Sequence, residues 1–247
     1  MRAREVLENI DTVAGYTTYI ELIRPLIADK NIISTAMMKE VERVRSAVDT
    51  ALSGNACAIV CSGDPGIYAM AGLAFEMLRE MKVFAVAPGK EDTLSQADAG
   101  NAMVVEVVPG IPALASGASL LGAPLTHDFA VVSLSDLLTP WETIAERLDA
   151  AARADFVIVL YNPKSKRRAD HLKRAQEIIL RHRDGDTVTG IVTAAMRRHQ
   201  DVHIIALKDL DKAAVDMQTT VFIGNRASFR YRDFIITPRG YAQKYSL

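Results

Sequence analysis

A polar, glycine-containing segment follows the apolar run of residues 56–61 and has the residue types of a ligand-binding loop. It reads Ser62-Gly63-Asp64-Pro65-Gly66-Ile67-Tyr68. Glycine lets the backbone approach a ligand closely, and Pro65 fixes the turn before a predicted helix. Ser62 and Asp64 would place polar atoms at the C-terminal end of a parallel strand, where α/β folds bind ligands. The residues alone leave two interpretations open: a ligand loop, or an ordinary strand–turn–helix with Asp64 as the helix N-cap.

A second segment whose residue types could bind a ligand follows the apolar run of residues 156–161. It reads Tyr161-Asn162-Pro163-Lys164-Ser165-Lys166-Arg167-Arg168. Its basic side chains, together with Arg197 and Arg198, could form the edge of a binding site for an acidic substrate. Each charge-assisted hydrogen bond there would be worth about 1.5–3 kcal/mol if sheltered from water. A basic, solvated turn explains the same residues, so the spacing does not decide between these interpretations.

Several familiar sites are missing from the sequence. There is no dinucleotide fingerprint, Walker loop or zinc-protease helix motif. His199 and His203 have the spacing of half a zinc site, but no cysteine pair precedes them, so we interpret them as surface residues and predict no metal. Cys57 and Cys61 fall four apart on a predicted strand and are interpreted as buried, reduced thiols facing the same way.

The elements that would position these loops alternate along the chain. Apolar runs predict strands at residues 12–14, 31–34, 56–61, 82–87, 102–108, 129–133, 156–161, 187–192, 203–206 and 220–223. Amphipathic patterns predict helices at residues 2–9, 18–27, 39–52, 67–81, 113–121, 139–152 and 169–182. This alternation predicts an α/β protein with largely parallel sheets. The segment 108–124 is rich in small residues and contains several prolines. This composition indicates a connection between two lobes, residues 1–124 and 125–247.

Composition narrows the class of protein. The chain has 247 residues, of which 49% are hydrophobic and 24% charged, with 29 basic against 30 acidic residues and a net charge of −1. These values exclude a disordered chain, and they argue against a dedicated nucleic-acid binder. No apolar run reaches membrane-spanning length, and no signal sequence is recognisable at the start. We therefore expect a globular protein of the cytoplasm, with no membrane or nucleic-acid partner.

With these segments in view, the chain resembles the precorrin-3B C17-methyltransferase family, including its cobalt-precorrin-3 version, within the tetrapyrrole methylase superfamily. The G-D-P-x-x-Y element at residues 63–68 and the V-P-G-I element at residues 108–111 belong to the wider superfamily. SLSDLLTPW at residues 133–141 and YNP-x-S at residues 161–165 are narrower and indicate the C17 enzyme. Further matches lie in residues 14–19, 38–43 and 219–225.

The resemblance implies two α/β lobes with a ligand cleft between them, S-adenosylmethionine (SAM) as methyl donor and a homodimeric state. It also implies which residues border the cofactor. Those of the first lobe are Ser62, Gly63, Asp64, Ile67 and Tyr68. The others are Ala113 and Leu114 in the connecting helix, and Tyr161, Asn162, Ala194 and Thr220 in the second lobe.

The family's reaction transfers the SAM methyl to C17 of a tetrapyrrole and contracts its ring, giving precorrin-4 or cobalt-precorrin-4. Displacement at a sulfonium methyl needs no protein nucleophile, but ring contraction moves protons, so an acid or base could assist. The candidates are Asp64, Tyr68, His127 and Asp128. Thr139 is expected to cap the helix that follows it. Residues expected to bind the substrate are Ser133, Ser135, Asp136, Lys164, Arg167 and Arg168.

One departure from the family pattern concerns the start of the sequence. The family opens with an apolar strand and a Gly-Pro-Gly loop, which this sequence lacks, so we expect an unpaired edge in the first sheet. This departure keeps open the hypothesis of a non-catalytic carrier of corrin intermediates. Two further hypotheses stay open as well: a methylase acting on another tetrapyrrole carbon or on uroporphyrinogen, and a methylase of RNA or of a modified histidine.

Overall fold

The computed structural model describes residues 2–95, 99–165 and 168–245. They form two compact units, one ending at Pro112 and the other beginning at Ala113. The helices are α1 Arg2–Glu8, α2 Thr17–Ile23, α3 Glu40–Leu52, α4 Met70–Glu80, α5 Ala113–Leu121, α6 Trp141–Arg153, α7 His171–Ile179 and α8 Tyr241–Lys244. The strands are β1 Thr12–Tyr16, β2 Asn31–Thr35, β3 Cys57–Val60, β4 Phe84–Val86, β5 Ala102–Val104, β6 Gly122–Ala123, β7 Phe129–Ser133, β8 Val157–Tyr161, β9 Val188–Thr193, β10 Asp201–Ala206, β11 Thr219–Ile223, β12 Phe229–Tyr231 and β13 Phe234–Ile236.

The first unit contains two parallel sheets. One has the order β2-β1-β3, and the other pairs β4 with β5. Strand β1 is central and its first four residues are buried. Ile59 of β3 and Met103 of β5 pack against one cluster, built mainly by α3 and α4 through Val44, Val48, Met77 and Leu78. Within the described residues no ladder joins β3 to β4, so each of these strands has one edge without a strand partner.

The second unit contains a five-stranded sheet of order β10-β9-β11-β8-β7. Only β7 and β8 run parallel, whereas the other three pairs are antiparallel. The expectation of largely parallel sheets is therefore correct for the first unit and wrong for the second. A shorter sheet has the order β12-β13-β6. The sequence did not predict these three strands, because each has only two or three residues and no readable alternation.

Side chains alternate across the large sheet and build a core on each face. Ile158 and Leu160 of β8 join α6 and α7 in one cluster, while Val159 joins α5 residue Leu121 in the other. Helix α5 lies close to the sheet because Gly117 has no side chain, and a Cβ there would come within 2.7 Å of the Phe222 ring. This packing places α5 in the second unit, so the division falls before Ala113 and not near Pro124 as the sequence suggested.

The predicted α/β alternation is confirmed, with α5 and β7 at the predicted bounds. Three predicted helix starts are two or three residues too early, including that of α7, which begins at His171 rather than at residue 169. Helix α4 begins at Met70 rather than at residue 67, and α6 begins at Trp141 after an N-cap position occupied by Pro140, which has no side-chain cap bond. Thr139 therefore does not cap this helix.

Candidate functional site

The carboxylate of Asp64 organises the loop after β3. Its Oδ1 accepts a hydrogen bond from the Gly66 N–H at 2.8 Å, and its Oδ2 accepts one from the Gly110 N–H at 3.0 Å. The alternative interpretation of Asp64 as a helix N-cap is wrong, because α4 starts six residues later and the residue before it, Ala69, makes no side-chain cap bond. Asp64 instead joins the two superfamily motifs of the first unit.

The backbone of these two motifs is packed closely. A Cβ at Gly110 would overlap the Gly63 carbonyl oxygen, so only glycine fits there. Gly63 itself has φ +79° and Tyr68 has φ +52°, both left-handed. Left-handed non-glycine residues cost free energy and concentrate at ligand sites. Tyr68 is 55% exposed. Ser62 and Ile67 lie half-buried in the same loop.

A buried arginine supports this part of the first unit, and the sequence analysis missed it. Arg43 of α3 is only 4% exposed. Its guanidinium donates to the Thr35 hydroxyl at 2.8 Å and to the Ala36 carbonyl at 3.2 Å, and it lies 3.7 Å from the Met70 sulfur. It therefore fixes the chain after β2 against the start of α4. Its place within a motif matched to the family was the only signal, and the charge pattern resembled a solvated helix face.

In the second unit, Tyr161 joins the end of β8 to the start of α5. Its phenol oxygen accepts a hydrogen bond from the Leu114 N–H at 2.7 Å, and its carbonyl accepts one from the Leu134 N–H at 2.9 Å. The next residue, Asn162, has φ +53° and donates from Nδ2 to the Ser133 hydroxyl at 2.9 Å. Four predicted site residues are thus brought together: Leu114, Ser133, Tyr161 and Asn162. Ala113 begins the same helix and is half-buried.

Ala194 directly follows β9, and Thr220 lies on the neighbouring strand β11. Both are 6% exposed. Thr220 pairs in register with Val192, and the Ala194 N–H donates to the Gln218 carbonyl at 3.1 Å. Ala194 has φ +50°, which gives the second unit another left-handed residue at the C-terminal end of a strand.

The loop between β7 and α6 carries two further predicted substrate residues, Ser135 and Asp136. Its Ser135 N–H donates to the Ser133 hydroxyl at 3.3 Å. Asp136 lies 3.1 Å from the Nε2 atom of His171, measured from Oδ2. Leu137 is 67% exposed and Leu138 is 93% exposed. The loop therefore offers apolar surface beside a carboxylate.

The basic segment after β8 is only partly described. Lys164 is exposed, Arg167 lies outside the described residues, and the Arg168 Nη2 atom lies 3.5 Å from the Met217 sulfur. The buried Nε atom of Arg168 has no hydrogen-bond partner among the described residues. The half-buried position of Arg168 differs from that of a freely solvated cation.

The remaining histidine and cysteine residues singled out in the sequence make few contacts that bear on function. The ring of His127 is exposed, and its Nδ1 atom accepts the N–H of Asp128 at 2.8 Å. His203 forms an exposed pair with Asp201, with 2.7 Å between Nε2 and Oδ2. Cys57 is half-buried, and burial raises the pKa of its thiol to about 11. In the described parts of the chain, no group of three or more histidine, cysteine or acidic side chains could hold a metal ion.

The model of the tetrapyrrole (corrin/porphyrin) methylase family matches residues 1–89 and 92–211. The chain belongs to this family, which confirms the resemblance seen in its motifs and the predicted class of methyltransferase. None of the helices in the described ranges has the length and apolar character needed to cross a bilayer.

Individual proteins to which the chain is similar are named more specifically than the family. A cobalt-factor III methyltransferase of Priestia megaterium is 47% identical over the whole chain, which spans 43% of that relative's length. A probable cobalt-factor III C(17)-methyltransferase of Salmonella typhimurium is 40% identical, covering 98% of this chain and 92% of the relative. Among solved structures, the methyltransferase CobJ is 30% identical with a TM-score of 0.82, covering 96% of this chain and 92% of CobJ. The cobalt-precorrin-4 methyltransferase CbiF, at 20% identity and a TM-score of 0.67, shares the fold.

Proposed function

We propose that this protein is a SAM-dependent methyltransferase of cobalamin biosynthesis that methylates C17 of a tetrapyrrole and contracts its ring. The observation that carries the proposal is the 40% identity across 92% of the Salmonella typhimurium relative, whose name states C(17) methylation of cobalt-factor III. A relative of nearly the same length is the best guide to substrate. The candidate substrates are cobalt-factor III, cobalt-precorrin-3 and precorrin-3B.

The residues present suit SAM, whose adenosine and amino-acid groups need several hydrogen-bond partners. Left-handed backbone at Gly63, Tyr68, Asn162 and Ala194 turns main-chain N–H and C=O groups away from the strand ladders. Tyr68, which is 55% exposed, adds a phenol to this set. The residues proposed to hold the cofactor are Ser62, Gly63, Asp64, Ile67, Tyr68, Ala113, Leu114, Tyr161, Asn162, Ala194 and Thr220. When bound, SAM supplies an electrophilic methyl group.

The chain's contribution to the reaction is mainly orientation. Asp64 fixes two loops through backbone N–H groups, and Tyr161 fixes the start of α5. Holding two reactants in a near-attack arrangement can supply about 7–11 kcal/mol of the barrier. Tyr68, which is 55% exposed, is a proposed proton donor or acceptor, while the Asp64 carboxylate accepts two backbone hydrogen bonds and is proposed mainly to orient the loops. His127 stays a third candidate.

The proposed substrate site combines apolar and charged surface. A tetrapyrrole has a flat apolar body with carboxylate side chains at its rim. Exposed Leu137 and Leu138 suit the body. The remaining proposed substrate residues are Ser133, Ser135, Asp136, Lys164, Arg167 and Arg168, of which the three cations suit the carboxylates.

The test is incubation of the full chain with SAM and each of the three tetrapyrroles, followed by product mass and absorption spectrum. One added methyl with a contracted-ring spectrum supports the proposal, and methylation at another carbon would replace it with a different tetrapyrrole methylase. If no substrate is methylated, calorimetry with S-adenosylhomocysteine separates the remaining explanations. A carrier of corrin intermediates would bind the tetrapyrrole without binding S-adenosylhomocysteine.

The proposal includes a homodimer working in the cytoplasm. Free Cys57 and Cys61 suit a reducing compartment. Light scattering behind a sizing column gives the mass in solution, and a monomer at micromolar concentration would contradict the dimer without affecting the proposed chemistry.

A further inference from the structure

A histidine outside the family motifs, His171, contacts Asp136 in the loop between β7 and α6. His171 is the first residue of α7 and its side chain is only 11% exposed, whereas the Asp136 side chain is 41% exposed. The Nε2 atom of His171 lies 3.1 Å from the Asp136 Oδ2 atom. This buried nitrogen has no hydrogen bond of good geometry among the described residues, so the nearby carboxylate oxygen is the atom positioned to satisfy it.

The other contacts of His171 hold its ring in place. Trp141, the first residue of α6, meets the imidazole edge-to-face, with ring centroids 4.7 Å apart and planes at 79°. The guanidinium carbon of Arg174 lies 4.0 Å from the centre of the same indole. The imidazole is therefore fixed by packing, and aromatic pairs of this kind contribute beyond the area they bury.

The loop itself has few anchors near Asp136 among the described residues. It runs from the end of β7 at Ser133 to the start of α6 at Trp141. Its first part is tied by the Ser133 and Asn162 hydrogen bond, but Leu137 and Leu138, just after Asp136, are largely exposed. An aspartate without a fixed partner would sample several rotamers in such a loop. The His171 Nε2 atom, 3.1 Å from Oδ2, is the buried polar atom placed to favour one of them.

We propose that His171 is a positioning residue that orients Asp136 toward the tetrapyrrole, an inference that rests on the proposed function. A buried imidazole next to a half-exposed carboxylate leaves the second carboxylate oxygen free for a substrate N–H or hydroxyl group. His171 acts through Asp136 and does not itself touch the substrate.

The test compares His171→Leu, His171→Gln, Asp136→Asn and the double variant His171→Leu/Asp136→Asn. His203→Leu is the matched control, since His203 also pairs with an aspartate but is exposed on β10. Steady-state kinetics with cobalt-factor III give KM and kcat, and calorimetry gives S-adenosylhomocysteine affinity. Because Trp141 is the only tryptophan in the chain, its emission reports whether the packing around residue 171 survives.

The expected result is a KM at least about 10-fold higher for His171→Leu, with S-adenosylhomocysteine affinity within about 2-fold of wild type. Glutamine keeps a donor nitrogen at similar reach, so His171→Gln should recover most of the loss. The double variant should be no worse than Asp136→Asn, because residues acting through one another are not additive. His203→Leu should match wild type.

Two results would overturn the inference while leaving the proposed function intact. One is an unchanged KM in a folded His171→Leu protein, and the other is an equal loss in the leucine and glutamine variants, which would assign the effect to packing. If His171→Leu does not fold, the comparison of His171→Gln with Asp136→Asn decides: a glutamine variant as impaired as Asp136→Asn would contradict the inference. A wild-type protein inactive on all three tetrapyrroles would instead refute the proposed function.

Discussion

Asp64 and Gly110 are separated by 46 positions in sequence and are joined by a hydrogen bond of 3.0 Å from the glycine N–H to Oδ2. The other carboxylate oxygen is used by Gly66. One side chain thus fixes the relative position of two loops in the first unit, and both loops carry a motif of the family.

Replacing this aspartate should weaken cofactor binding more than it harms the fold. In Asp64→Asn, the amide keeps one acceptor but turns a donor toward one of the two backbone N–H groups. We expect S-adenosylhomocysteine affinity to fall at least about 10-fold, equivalent to roughly 1.4 kcal/mol. Calorimetry measures it, with Asp233→Asn in an exposed turn as the control. Wild-type affinity in the Asn variant would show that the loops hold without Asp64.

The close approach of Gly110 to Gly63 predicts a severe effect from one methyl group. In Gly110→Ala the new Cβ would meet the Gly63 carbonyl oxygen, which is backbone and cannot simply rotate away. We expect a loss of about 1–3 kcal/mol in the free energy of unfolding. Gly72→Ala is the control, because nothing lies within 4 Å of its Cβ position and alanine should stabilise α4 by about 0.5–1 kcal/mol. Similar urea midpoints for the two variants would contradict the prediction.

The phenol oxygen of Tyr161 can be removed without disturbing its ring. Tyr161→Phe leaves the Leu114 N–H without its acceptor at the start of α5, which should cost about 1–3 kcal/mol. Thermal unfolding should show a lower Tm, and S-adenosylhomocysteine affinity should fall because the helix start is less fixed. Tyr231→Phe, on an exposed strand, should have neither effect. A Tm equal to that of the control would indicate that water replaces the phenol.

Charge reversal in the basic segment should separate substrate binding from cofactor binding. The double variant Arg167→Glu/Arg168→Glu is expected to lower tetrapyrrole affinity at least about 10-fold, because two attractive charges become repulsive toward the carboxylates. S-adenosylhomocysteine affinity should stay the same. The variant Arg79→Glu/Lys90→Glu changes the net charge equally at exposed positions of the first unit. An unchanged fluorescence titration with tetrapyrrole would contradict the prediction.

The cysteines should be poorly reactive in the folded protein. Burial raises the pKa of the Cys57 thiol to about 11 and also raises that of Cys61, so both are protonated at neutral pH. Because the pKa of Cys57 in the folded protein lies above the unfolded value near 9, the folded state favours the protonated thiol. The contribution of this thiol to the free energy of unfolding is therefore complete below pH 9 and is lost as the pH rises toward 11. Iodoacetamide labelling near neutral pH should be slow until urea unfolds the chain. Rapid labelling of the native protein would show that the thiols are accessible.

The sequence was sufficient for the features that depend on local pattern. Strand β7 and helix α5 have the predicted bounds because the apolar periodicity and the nearby glycine and proline residues indicate the same ends for these elements. Leu114, Ser133, Tyr161 and Asn162 were predicted through the family resemblance, and hydrogen bonds join them in two pairs in the second unit.

Features that depend on long-range pairing could not be predicted from local pattern. An apolar strand buried on both faces has the same composition whether its neighbour is parallel or antiparallel, so the direction of β9 and β11 was missed. The role of Asp64 depends on Gly110, a partner no spacing rule connects to it. Likewise, His171 lay inside a predicted amphipathic helix at residues 169–182, and no sequence pattern connected it to Asp136.

The unpaired edges of β3 and β4 affect how the protein opens. Every residue of β3 is partly accessible, and two of three in β4 are exposed, whereas all five residues of β11 are buried. Amides of the first unit should therefore exchange with solvent through local openings of low free energy, and those of the large sheet only through much rarer ones. We therefore expect the loop of Asp64 to be released before that of Tyr161, in which case a single melting temperature would not describe the whole chain.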